Sequence, residues 1–270
     1  MKKPPSLLYG VDERPPLSVT LLSGLQHAGV IAINLVVPVI VFRAAGAPPE
    51  TITALLAVGL AVLGIATFLQ ANNSGVVGSG YMCPATFTAT YLAPAILAAK
   101  TGGLALVFGM TLFAGVLEAV VTPVLHRLRA FVPVELSGLV ILLIGFTSGL
   151  VGVRAMLGDA SHLPSADEWI VAGATLGVTL ALNIWGRGFG RMLCALLGMV
   201  GGYVTAGAVG VLGAADFEPV MNAAWLAVPD LRHVSWSFDA GLAAAFGIAA
   251  LAAAMKAVGT LTVCQRTNDA

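Results

Sequence analysis

Eight apolar runs of membrane length punctuate this chain, near residues 19–42, 51–70, 81–99, 103–125, 136–153, 168–185, 192–213 and 240–263. A helix needs about 20 apolar residues to cross a hydrocarbon core roughly 30 Å thick, so each run is read as a span. The fold class this predicts is an all-α polytopic membrane protein of about eight transmembrane segments, the third and eighth being the least regular. Composition agrees: 58% of residues are hydrophobic and 10% charged, against about 25% charged in soluble domains.

The charges that remain orient the chain. With the N-terminus in the cytoplasm, the inner side holds Lys2, Lys3, Arg14, Arg127, Arg129, Arg187, Arg191 and Arg266. The outer side holds Arg43, Lys100, Arg154 and Arg232, and Lys256 lies within a span. This is the bias of the positive-inside rule, and it places both ends of the chain in the cytoplasm. The opening MKKPPSLLYGVDERPP is not a cleavable signal, because prolines and acids stand where an apolar stretch is required. A formal net charge of zero gives no general attraction to nucleic acid. Cys83, Cys194 and Cys264 are scattered, which argues against a disulfide framework or a zinc site. There is no phosphate-binding glycine loop, nucleophile elbow or metal cluster, so neither a cofactor nor a metal is expected. Gradient-driven transport, a channel or a membrane enzyme remain, and the absence of paired catalytic groups disfavours the enzyme.

Two segments depart from plain hydrophobicity. The first span, LLSGLQHAGVIAINLVVPVIV, carries Gln26, His27 and Asn34. His27 and Asn34 are seven apart, about 20° short of two turns, and share a helix face. Polar groups in hydrocarbon need partners, so these either bond neighbouring helices or meet a ligand. The second span, TITALLAVGLAVLGIATFL, reads as scaffold.

The second departure is ANNSGVVGSGYMCPATFTATYLAPAILAAK, Ala71 to Lys100, with Gly75, Gly78 and Gly80 ahead of Pro84 and Pro94. Glycine and proline interrupt a helix here. Irregular backbone at membrane depth is tolerated only where protein or a cavity covers it, and in transporters such a segment points to the binding site. A half-helix beginning near Pro84 directs the N–H groups of Ala85, Thr86 and Phe87 toward a ligand, and Tyr81 can stack on a flat ring. The alternative is a simple kink with Tyr81 at the interface. Two ionisable residues complete the inventory. Lys256 is either desolvated in its neutral form, paired with a carboxylate such as Glu118, or extended to the cytoplasmic interface. Glu118 is either a proton carrier or a structural group near His126.

The ordered series YGVDERPP, GLQHAG, VGSGYMCPATFTATYLAPAILAAKTGG, LVFGMTLFAG…LHRLRAFVPVELSGLVILLIG and MKAVGTLTVCQRTND resembles the nucleobase–ascorbate transporter family, the xanthine and uracil permeases. The resemblance covers nearly the whole chain. It implies fourteen spans in two inverted seven-span repeats, of which this chain would be the first repeat plus the start of the second. The implied organisation is a cytoplasmic arm over 1–16, core-domain spans one to four over 17–133, and gate-domain spans five to seven over 134–213. An outer loop follows over 214–239, with span eight over 240–270.

The implied function is secondary-active transport of xanthine, urate or uracil across the bacterial inner membrane by proton symport, in a homodimer. The implied substrate contacts are Gln26, His27, Asn34, Tyr81, Met82, Cys83, Thr86 and Lys256, with His27, Glu118 and Lys256 as proton-coupling candidates. Two departures stand out. The family's E-x-x-G falls on Lys256-Ala-Val-Gly259, and the chain ends at Ala270. The second allows another reading, a non-transporting membrane module that needs a partner chain to complete the site.

Overall fold

The computed structural model describes residues 9–10, 13–72, 77–128, 134–157, 164–187, 189–222 and 231–269. Lys2, Lys3, Gly75, Arg129 and part of the outer connection after Ala214 lie outside the described residues, as do the side chains of His126, Arg127 and Arg266. The helices in chain order are α1 (Leu17–Asn34), α2 (Val36–Ala44), α3 (Pro49–Ala71), α4 (Leu92–Leu128) and α5 (Val134–Leu157). They continue with α6 (Ala166–Trp185), α7 (Phe189–Met192), α8 (Cys194–Ala208), α9 (Glu218–Met221) and α10 (Ala240–Asp269). Among the described residues five helical stretches are long and apolar enough to cross a membrane, and α8 is a shorter apolar helix. The seventh run, expected over 192–213, is thus shorter than its hydropathy suggests.

The chain divides into two compact units. The first comprises the described residues of Met1–Thr20, Asn34–Phe146 and Pro229–Ala270, and the second those of Leu21–Ile33 and Thr147–Val228.

In the first unit, α4 packs against both α2 and α10. Met110, Phe246, Ala98, Ala114 and Ala250 are buried almost completely. The alanines let helix backbones approach closely, the usual basis of association where water supplies no driving force. The outward residues Leu60, Val62, Ile65 and Phe68 of α3 are exposed. A continuous apolar surface of this kind suits lipid, not water.

The expected first span is two helices because Pro38 has no N–H to offer the carbonyl four residues earlier. The ladder resumes one residue on, where the Val39 N–H bonds to the Leu35 carbonyl at 3.2 Å. The expected third and fourth spans are the two limbs of α4, separated at Gly103, whose φ of 66° and ψ of −158° are not helical. In a straight helix Tyr91 and Glu118 would stand about 40 Å apart at 1.5 Å per residue. Instead the Tyr91 hydroxyl donates to Glu118 Oε1, so the chain folds back between them.

In the second unit α6 packs along α8. Ser165 and Glu168 form a capping box at the start of α6, with Ser165 Oγ accepting from the Glu168 N–H and Glu168 Oε2 from the Ser165 N–H. Gly198 and Gly202 lie directly against Thr179 and Thr175, where a Cβ would meet a hydroxyl oxygen at 1.9 and 2.1 Å. Those hydroxyls bond back to the carbonyls of Thr175 and Val171 at 2.8 Å each. His27 of α1 belongs to this unit; its Nε2 is buried and has no hydrogen-bond partner among the described residues.

The loop before the third span gives the sharpest test of the fold. Gly78 has a φ of +84°, and a Cβ there would lie 1.8 Å from the Asn72 carbonyl oxygen. Gly78→Ala is expected to cost about 3 kcal/mol or more through left-handed strain and collision. Gly64→Ala, in open space on α3, should be neutral or stabilising by up to about 1 kcal/mol. Thermal unfolding of the two variants in the same detergent compares them directly.

Candidate functional site

The site is built where helix is absent. After α3 ends, the loop Gly78–Ser79–Gly80 is held to Gln70: the Ser79 N–H donates to the Gln70 carbonyl at 3.1 Å, and Gln70 Nε2 to Ser79 Oγ at 2.7 Å. Ser79 Oγ also accepts the Tyr81 N–H at 3.3 Å. The Cys83 N–H closes a tight turn onto the Tyr81 carbonyl at 2.8 Å. From Met82 to Thr88 the chain has no regular secondary structure. The Ala85 N–H bonds to Thr67 Oγ1 of α3 at 3.1 Å, and the Phe87 ring fills the space that Gly59 leaves open.

This corrects the expectation of a half-helix starting near Pro84. Helix begins at Ala89 with a single 3₁₀ turn that leads into α4. Thr88 caps it, its Oγ1 accepting the Thr90 N–H at 3.3 Å and contacting the Thr90 hydroxyl at 2.8 Å. The reason is competition: Thr67 takes the Ala85 N–H, and Thr88 supplies the side-chain acceptor that starts a helix. The N–H groups of Ala85 to Phe87 are therefore not a helix terminus.

A cavity of about 630 Å³ opens beside this stretch, within the size range of small-molecule sites. Cys83, Pro84, Ala85, Thr86 and Thr88 form one wall. Ala66 and Gln70 of α3, Tyr91, Glu118 of α4, and Ala253, Lys256, Ala257, Thr260 and Leu261 of α10 form the rest. The Lys256 Nζ reaches Thr88 Oγ1 at 3.5 Å, so the lysine turns into the cavity and does not run to the helix end. Glu118 takes the Tyr91 hydroxyl; among the described residues it forms no ion pair with Lys256, contrary to one expectation for that lysine.

Four of the residues singled out from sequence, Cys83, Thr86, Glu118 and Lys256, thus share one cavity. Tyr81 and Met82 line a neighbouring one of about 510 Å³, with Tyr9, Gly10, Glu13 and Pro15 of the N-terminal arm and Val263, Cys264, Thr267 and Asn268 at the end of α10. Cys83 and Cys264 touch, Sγ to Sγ at 3.4 Å. Asn34 ends α1, and Gln26 and His27 lie in the part of α1 that belongs to the second unit.

Sequence reasoning missed Gln70, Thr67, Thr88 and Tyr91. The second span is accordingly more than scaffold, since Gln70 and Thr67 anchor the extended stretch. Their signal was present: a threonine and a glutamine near the end of an otherwise apolar run, facing a segment known to lack helix.

The family model of the xanthine/uracil permeases, described as "Permease family", matches residues 18–269. The chain is 31% identical over 98% of its length to a Clostridium perfringens protein named "Putative purine permease CPE0397", covering 58% of that protein. It is 26% identical over 97% of its length to the xanthine permease XanP of Escherichia coli, covering 60%. To the uric acid permease PucK of Bacillus subtilis it is 29% identical over 79% of its length, covering 50%. The chain thus spans between half and three-fifths of the length of these curated relatives. With its apolar helices and a match along nearly its full length, this chain belongs to the nucleobase–ascorbate transporter family of multi-pass membrane permeases.

Proposed function

We propose that this chain carries a nucleobase, xanthine, urate or uracil, across the bacterial inner membrane by proton symport, with both chain ends cytoplasmic and the protein a homodimer. The observation that carries this reading is the 630 Å³ cavity at the interrupted third span. A flat heterocycle presents carbonyls and ring N–H groups on its edges. The cavity offers hydroxyls from Thr86, Thr88 and Thr260, the Gln70 amide and the Lys256 ammonium, with alanines for the ring faces. Cys83 lines the same wall, while Tyr81 and Met82 border the neighbouring cavity. Gln26, His27 and Asn34 of α1 are proposed as substrate-binding residues in their own right, and among the described residues His27 Nε2 has no hydrogen-bond partner.

Glu118 is the proposed proton carrier. A carboxyl that bonds to a tyrosine hydroxyl instead of an ion-pair partner is able to gain and lose a proton without breaking a salt bridge. Coupling then follows if the loaded and unloaded states differ in its protonation. A second reading is a membrane module that does not transport by itself and whose site a partner chain completes.

Uptake of labelled xanthine, urate and uracil by cells lacking their own permeases, with and without an uncoupler, separates the two. Uncoupler-sensitive uptake by the chain expressed alone supports transport; verified insertion without uptake supports the module. Where uptake is found, Glu118→Gln is expected to lower gradient-driven accumulation by about tenfold or more while counterflow exchange continues. Unchanged accumulation would remove Glu118 from the coupling scheme.

A further inference from the structure

We propose that the cavity at the interrupted third span takes its base as a monoanion, and that Lys256 selects this charge state. The inference rests on the nucleobase reading above. Lys256 lies near the middle of α10 and its Nζ enters the cavity, where the Thr88 hydroxyl at 3.5 Å is at the outer limit of a hydrogen bond. An ammonium has three protons to donate, so among the described residues most of its capacity is unmet. The other titratable groups on the cavity wall are Cys83 from the extended stretch, Tyr91 from the 3₁₀ turn and Glu118 from α4. Glu118 is engaged by the Tyr91 hydroxyl and Cys83 by Cys264. Among the described residues no carboxylate pairs with Lys256.

A cation partly removed from water without a counter-charge is costly, and a bound anion supplies what the protein does not. With Glu118 engaged by Tyr91 and Cys83 by Cys264, the side-chain donors and acceptors left to a ligand besides Lys256 are neutral hydroxyls and one amide. They can follow the carbonyl and N–H pattern of an oxopurine but cannot neutralise a second negative charge. One cation therefore matches one anionic edge. At neutral pH urate is a monoanion, xanthine is partly ionised, and uracil and hypoxanthine are neutral. The expected order of affinity is urate, then xanthine, then the neutral bases. Xanthine should bind more tightly as pH rises through its own first ionisation. Uracil stays neutral over that range, so its affinity reports any titration of Cys83, Tyr91 or Glu118 separately.

The test is equilibrium binding of labelled urate, xanthine, uracil and hypoxanthine to the full chain in lipid nanodiscs, for the wild type, Lys256→Gln and Lys256→Arg. The expected result is a loss of about tenfold in urate affinity in Lys256→Gln, a flat pH profile for xanthine, and a clearly smaller loss for uracil, whose carbonyl the glutamine amide can still meet. Lys256→Arg should retain the preference for urate. Urate affinity unchanged in Lys256→Gln, or equal wild-type affinity for urate and hypoxanthine, would overturn the proposal. So would parallel loss of urate and uracil binding in Lys256→Gln with Lys256→Arg normal, which would make the lysine a contact for any base. A wild type that binds none of the four bases would overturn the nucleobase reading itself, and this assignment with it.

Discussion

A backbone that leaves helix at membrane depth must find hydrogen-bond partners for every polar group it exposes, since the hydrocarbon offers none. Between Gly78 and Thr88 α3 meets part of this constraint: the Gln70 carbonyl accepts the Ser79 N–H and Thr67 Oγ1 the Ala85 N–H, while the Gln70 amide holds the Ser79 hydroxyl. An unsatisfied buried amide costs about 1–3 kcal/mol, so these few bonds decide whether the interruption is tolerated at all. They also fix where helix begins again. Because Ala85 is tied to Thr67, the turn is nucleated later, at the Thr88 cap, and the Tyr91 that follows is set opposite Glu118.

The reversal at Gly103 completes the arrangement. Tyr91 and Glu118 are distant in sequence and meet only because the two limbs of α4 fold back. α10 packs on this pair of limbs through alanines and Phe246, whose ring lies 6.3 Å from that of Tyr91. The same close packing brings Lys256 to Thr88 and Cys264 to Cys83. The cavity is what remains where the extended stretch, lacking the girth of a helix, fails to fill the space between α3, α4 and α10.

Much of this was legible in the residues. Hydrophobic runs marked an all-helical membrane chain, of whose described residues five helical stretches are long and apolar enough to span, and Gly78, Gly80 and Pro84 marked the interruption. The start of the half-helix was misread because proline at a first helical position and proline in an extended stretch look alike in sequence. Only the competing bond from Thr67 distinguishes them, and that bond joins residues 18 apart. The split of the first span at Leu35 follows from Pro38 but leaves no trace in hydropathy. The direction of Lys256 was not legible either, since a long side chain near mid-helix can reach either a cavity or an interface. Glu118 was visible as an intramembrane carboxyl, whereas its partner Tyr91 emerged only from the fold-back at Gly103.

The treatment of charge is the last consequence of this geometry. An ammonium and a carboxylate 4 Å apart at an effective dielectric of about 20 attract by roughly 4 kcal/mol, enough to hold a permanent pair. Here both groups line one cavity, yet the carboxyl faces a tyrosine hydroxyl and the ammonium a threonine hydroxyl. Two neutral hydroxyls therefore keep the two ionisable groups apart. An internal salt bridge would have to be broken each time either group met a ligand or a proton, whereas a hydroxyl partner gives way at the cost of about one hydrogen bond, roughly 1 kcal/mol net. The separation depends on Tyr91 and Thr88 standing three residues apart on the capped turn. The physics that ends the extended stretch is thus the same physics that leaves Lys256 and Glu118 available.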